Sequence, residues 1–147
     1  MKQSKWKWAT AHKTKGSGLV VVREFSDGWK VLGLWARNGY DIPKGHVESG
    51  DSTFDTAVRE ALEEASLTNL SFVWGTSSIR LDNLHVYLAS TQQDAVLGYN
   101  YEDDMYEHDY VKWLSWGEMH AKSYIYLKPA ILWARDIVLG SHSADKL

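Results

Sequence analysis

Cysteine is absent from this chain of 147 residues, which excludes a disulfide framework, a thiolate metal site and a cysteine nucleophile. Any metal must therefore be held by oxygen or imidazole. No apolar run approaches the roughly 20 residues that a membrane span requires. The opening segment MKQSKWKWATAHKTK also lacks the apolar stretch of a signal peptide, so a soluble, cytoplasmic protein is expected. There is no excess of positive charge: the formal net charge is −3, which argues against general nucleic-acid binding. The local basic run of Lys2, Lys5, Lys7, Lys13 and Lys15 reads as a solvated strand. A G-x-S-x-G nucleophile elbow and a Walker-type phosphate loop are both missing, which removes a serine hydrolase and a P-loop enzyme from consideration.

What is present fits one domain over residues 1–147, without repeat, linker or low-complexity tract. Leu19–Val22 and Trp29–Trp35 are rich in β-branched and aromatic residues and flank the turn signal Ser26-Asp27-Gly28, predicting a hairpin. Residues 38–51 read as a loop feeding a helix. From Phe54 on, Ala57, Val58, Ala61, Leu62 and Ala65 recur at three-and-four spacing, with Ser52 as N-cap. Leu70–Trp74, Ser78–Leu81, Leu84–Ala89 and Tyr110–Leu114 are strand candidates, and residues 92–109 form a long polar loop. A last helix is predicted from Pro129 to Leu139, ended by Gly140. The order predicts an α+β fold, a mixed sheet with packed helices in an α/β/α sandwich.

On the first helix, Glu60, Glu63 and Glu64 stand at i, i+3 and i+4, projecting three carboxylates from one face, opposite the apolar stripe. Each like-charge pair at this spacing costs an isolated helix roughly 0.2–0.5 kcal/mol. A bound divalent cation would relieve that repulsion, and magnesium, which takes oxygen ligands and keeps several waters, leaves room for phosphates. The bland alternative is a solvated helix face with Arg59 paired to Asp55 or Glu63.

The surrounding residues decide between these. Gly45, Asp51 and the run Arg59-Glu60-Ala61-Leu62-Glu63-Glu64-Ala65-Ser66-Leu67 resemble the Nudix box, G-x5-E-x7-R-E-U-x-E-E-x-G-U with U a bulky aliphatic, over residues 45–67. Gly45, Arg59, Glu60, Glu63, Glu64 and Leu67 agree; Asp51, Ala61 and Ser66 depart. Ser66 stands where glycine would suit a left-handed helix end. The resemblance implies a Nudix-like fold and a phosphoanhydride hydrolase using Mg2+, for which Mn2+ substitutes. It implies that Glu60, Glu63 and Glu64 are metal ligands, joined by the Gly45 carbonyl, with Arg59 orienting them. An acidic residue from a late loop adds a ligand or general base; Glu107 is favoured over Glu102, Asp103 and Asp104 because it adjoins a strand.

Ile42-Pro43-Lys44-Gly45-His46-Val47-Glu48-Ser49-Gly50, Val86-Tyr87-Leu88-Ala89 and Glu107-His108 followed by Trp113-Leu114 are similar to asymmetric diadenosine tetraphosphate (Ap4A) hydrolases. That similarity implies cleavage of a dinucleoside polyphosphate, Ap4A giving ATP and AMP. Lys44 and His46 are candidate polyphosphate contacts, with Arg80 another, and Tyr87, Tyr124 and Tyr126 candidate platforms for a base. Alternatives left open are ADP-ribose, NADH, Ap3A or a capped RNA end as substrate, and a non-catalytic nucleotide-binding module. The partner expected is a nucleotide, with neither a membrane nor stably bound nucleic acid; monomer and homodimer are both compatible with the sequence.

Overall fold

The computed structural model describes residues 15–146, with side chains described as far as Gly140; the basic residues Lys2 to Lys13 lie outside the described part. Seven strands form one mixed sheet: β1 (Gly16–Phe25), β2 (Gly28–Ala36), β3 (Gly39–Asp41), β4 (Lys44–His46), β5 (Ile79–Leu81), β6 (Leu84–Ser90) and β9 (Tyr110–Leu114). The main order is β3-β2-β1-β6-β5, with β4 pairing β1 and β9 pairing β2. β1 and β2 form the expected hairpin, Phe25 opposite Gly28. β1 and β6 run parallel, so this pair needs the long crossover that carries helix α1 (Thr53–Ala65).

The uninterrupted apolar run in β1 has a direct cause: this strand is covered on both faces. Leu19 and Val21 point into one core with Leu32, Leu34, Tyr87 and Ala89, under Ala57, Ala61 and Ala65 of α1. Val20 and Val22 point into the other, with Val86, Leu88, Met119 and Leu127, under Ala130, Ile131, Ala134 and Val138. Met119 comes from α2 (Trp116–Lys122), Leu127 from a 3-10 turn (Ile125–Leu127), and the covering Ala130, Ile131, Ala134 and Val138 from α3 (Lys128–Lys146). The α/β/α layering is as expected.

Several local expectations change. The presumed loop at 38–51 contains β3 and β4, whose partners β2 and β1 are supplied by tertiary pairing. Residues 70–74 make only a bridge, Ser71 to Ser90, because Phe72 and Trp74 pack on Phe54 and Trp29 instead of extending a ladder. The long polar loop holds a small hairpin of β7 (Tyr99–Asn100) and β8 (Met105–Tyr106). Gly140 does not end α3, which runs to Lys146; a glycine inside a helix costs about 1 kcal/mol and does not stop it. On α1, Leu62 is 49% exposed, outside the apolar stripe.

Candidate active site

Helix α1 is capped as its sequence suggests, the Ser52 hydroxyl accepting from the Asp55 N–H at 3.0 Å. Alanines at 57, 61 and 65 bring its axis close to the sheet, and the adjoining row of Thr56, Glu60 and Glu64 is carried into the protein with them. Glu60 and Glu64 are thus buried, while Glu63 stays exposed. The three carboxylates do not share one solvated face.

Strand β4 forms the wall opposite this row. The Lys44 backbone N–H donates to Glu64 Oε1 at 3.2 Å. At Gly45 a Cβ would stand 2.4 Å from the Glu60 carboxyl carbon, so a side chain here would have to displace that carboxylate. Arg59 closes the outer side: its Nη2 donates to the His46 carbonyl at 3.2 Å and lies 3.8 Å from Glu60, 4.0 Å from Asp51, with Nη1 3.7 Å from Glu48. Arg59 therefore ties the helix to the loop before it, in place of the Asp55 or Glu63 pairing considered from sequence.

Burial pushes the Glu60 carboxyl up to about 7, and the neighbouring Glu63 and Glu107 charges add to the rise against the opposing Arg59 and Lys44. Glu107 is thus within electrostatic reach of Glu60. Its Oε2 accepts from Asn100 Nδ2 at 2.7 Å, and the hairpin carrying Asn100 rests on the C-terminal end of α1. There the Gly98 N–H donates to the Glu64 carbonyl at 3.0 Å, and a Cβ on Gly98 would overlap the Glu63 carbonyl oxygen. Glu102, Asp103 and Asp104 are exposed on the hairpin turn, Asp103 bonded through its N–H to Asn100 and Asp104 accepting from the Tyr99 hydroxyl.

The other sequence candidates fall elsewhere. The Lys44 ammonium is sealed inside, its side chain 1% exposed and 2.9 Å from Asp41 Oδ2. His46 is exposed beside Arg59. Tyr87 lies in the α1-side core, its hydroxyl 2.6 Å from Thr53 Oγ1 and its ring edge-on to Phe54. Tyr124 donates to the Ala36 carbonyl at 2.7 Å. Tyr126 is buried, its hydroxyl without a hydrogen-bond partner among the described residues and driven up by burial and then by the Asp41, Tyr124 and Glu64 environment. Arg80 caps its own turn at the Asp82 carbonyl. Sequence reasoning missed Asp41, Asn100 and His108. For His108 the adjacency to Glu107 was a signal; Asp41 and Asn100 gave none before the folded contacts were known.

Among the described residues no three acidic or imidazole side chains already form a closed metal-binding cluster. The donor set nonetheless fits a hard cation: buried carboxylates with a strained charge balance, and a glycine carbonyl on the strand that faces them. A NUDIX domain family match covers residues 9–134. The chain belongs to the Nudix family. It is 34% identical over 95 residues to an uncharacterised 17.7 kDa protein of the e-segB intergenic region of Enterobacteria phage T4, covering 59% of this chain and 58% of that protein. It is 37% identical over 57 residues to the asymmetrical bis(5'-nucleosyl)-tetraphosphatase of Caenorhabditis elegans, covering 37% of this chain and 41% of that enzyme. The chain thus aligns with about half the length of these relatives. In structure it resembles a C. elegans Ap4A hydrolase binary complex with a TM-score of 0.67 at 24% identity, covering 87% of this chain and 98% of the other, which establishes the Nudix fold.

Proposed function

We propose that this Nudix chain, acting as one domain in the cytoplasm, hydrolyses a phosphoanhydride bond of a dinucleoside polyphosphate, splitting Ap4A and water into ATP and AMP. The observation that carries the reading is the burial of Glu60 and Glu64 against Gly45 and the Lys44 N–H, with Glu107 within electrostatic reach of Glu60. A fold that needed only solubility would expose those carboxylates. The similarity to the C. elegans tetraphosphatase supports the choice of substrate.

Glu60, Glu64 and the Gly45 carbonyl would hold magnesium, with Glu63 and Glu107 completing the set through direct contacts or water. Bound there, magnesium supplies neutralisation of phosphate charge and a lowered pKa for an attacking water. Glu107, steadied by Asn100, would be the group to take a proton from the attacking water. Arg59 holds the box loop and the helix in register. His46, exposed at the rim, meets the polyphosphate. Lys44 contributes fixed positive charge from inside, which its burial against Asp41 favours over direct contact.

Mass spectrometry of products from Ap4A and from ADP-ribose, with magnesium and with EDTA, tests the reading. Expected are ATP and AMP from Ap4A only when the metal is present. AMP and ribose 5-phosphate from ADP-ribose with Ap4A untouched would reassign the substrate, and no turnover of any nucleotide in a broad panel would make the chain a binding module.

A further inference from the structure

We infer that the buried Asp41–Lys44–His108 cluster is a positioning device that sets Glu107 against the box helix. His108 follows Glu107 directly in the chain, and its Nε2 lies 3.0 Å from Asp41 Oδ2. The same oxygen receives the Lys44 ammonium at 2.9 Å, while Asp41 Oδ1 accepts from the Ile42 N–H at 2.9 Å. The side chains of Asp41, Lys44 and His108 are 0%, 1% and 1% exposed. One carboxylate therefore joins the segment carrying Glu107 to the strand carrying Gly45, and the Lys44 N–H of that strand in turn holds Glu64.

Two features favour a role in the site over one in stability alone. Burying an ion pair with an imidazole is costly, and apolar residues of like volume would serve folding at least as well. The cluster also stands one residue from each of two proposed ligands, Gly45 and Glu107, 62 positions apart on elements that no regular ladder joins directly among the described residues. Partners of this kind set the orientation of first ligands at metal sites, and their loss typically lowers metal affinity or activity about 10- to 100-fold.

The inference rests on the proposed role of Glu107, and a double-mutant cycle separates the two. His108→Ala, Glu107→Gln and the double variant are compared for kcat and KM on Ap4A and, independently of turnover, for Mn2+ affinity by titration calorimetry, with melting curves to establish folding. His108→Ala is expected to lower kcat by about 10- to 100-fold with KM nearly unchanged, and to weaken Mn2+ binding as Glu107→Gln does. Added to Glu107→Gln it should cost little more. His108→Gln, whose amide nitrogen reaches the place of Nε2, should restore most of the loss. Where His108→Ala does not fold, His108→Asn, too short to reach Asp41, replaces it. Independent, multiplying losses, a KM effect in place of a kcat effect, a silent His108→Ala, or failure of His108→Gln to rescue overturns the positioning role. If Glu107→Gln is silent in both readouts, the assignment of Glu107 falls too, and a surviving His108 effect must run by another route.

Discussion

At the scale of single residues, the informative contrast is between Glu60, 9% exposed, and Leu62, 49% exposed, two positions apart on one helix. Hydrophobic partitioning alone would reverse them. The spacing of Glu60, Glu63 and Glu64 was legible in the sequence, but their depth was not, because periodicity defines a face and not the strand that covers it. Lys44 was read as a phosphate contact for the same reason: a cation beside a glycine gives no sign that Asp41, three residues back, will enclose it. The raised Glu60 pKa has a measurable consequence. A carboxyl higher in the folded chain than in the unfolded one binds more protons when folded, so its ionisation lowers stability as pH rises from about 4.5 towards about 7. In metal-free protein, the stability advantage of Glu60→Gln over the parent, measured by thermal melting, should therefore grow between pH 5 and pH 8 and shrink when Mn2+ is added. A constant difference across that range would contradict the buried, repelled state of this carboxylate.

At the scale of elements, the end of α1 shows how a departure from the family pattern is accommodated. Ser66 adopts φ 60° and ψ 30°, the left-handed conformation that glycine takes without penalty. The Leu67 N–H reaches the Ala61 carbonyl at 3.2 Å, and the Ser66 N–H the Leu62 carbonyl at 3.0 Å, closing the helix by the usual paired bonds. Serine gains in exchange a bond from its hydroxyl to the Val96 carbonyl at 2.8 Å, while Gln93 Nε2 donates to the Ser66 carbonyl. The cap thus docks the segment that leads to the β7–β8 hairpin. Ser66→Gly should change unfolding free energy by no more than about 1 kcal/mol, relief of strain offsetting the lost hydrogen bond. Ser66→Val, with a branched chain at positive φ, should lose about 1–3 kcal/mol. Urea denaturation decides; equal stability of the two variants would show that the cap carries no strain. The long helix and the first hairpin were readable because their signals are local. The three-residue strands β3 and β4 were not, since their identity depends on pairing with β2 and β1. Helix α2 did carry a sign, Ser115 with Glu118 three residues on, and the Ser115 hydroxyl caps it at the Glu118 N–H.

For the whole molecule, two apolar cores on opposite faces of one sheet bear most of the stability, and the proposed site stands beside them where β4, α1 and the segment before β9 meet. Asp41 sits at the end of β3 and joins it to β4 through Lys44 and to the segment before β9 through His108, its other oxygen held by the following N–H. Removing it takes from an ammonium 1% exposed the carboxylate that stands 2.9 Å away. Loss of one partner from a buried ion pair typically costs about 3–5 kcal/mol, whereas replacing both by apolar groups is often nearly neutral. Asp41→Ala should therefore lower unfolding free energy by about that much in urea, and adding Lys44→Met should recover a substantial part of it. Hydrolysis should respond differently. The double variant regains stability but still lacks the bond that orients His108, so its turnover should stay close to that of His108→Ala. Recovery of full turnover together with stability would mean that the cluster serves the fold alone, and a loss below about 1 kcal/mol in Asp41→Ala would mean that the buried pair is not holding these segments together.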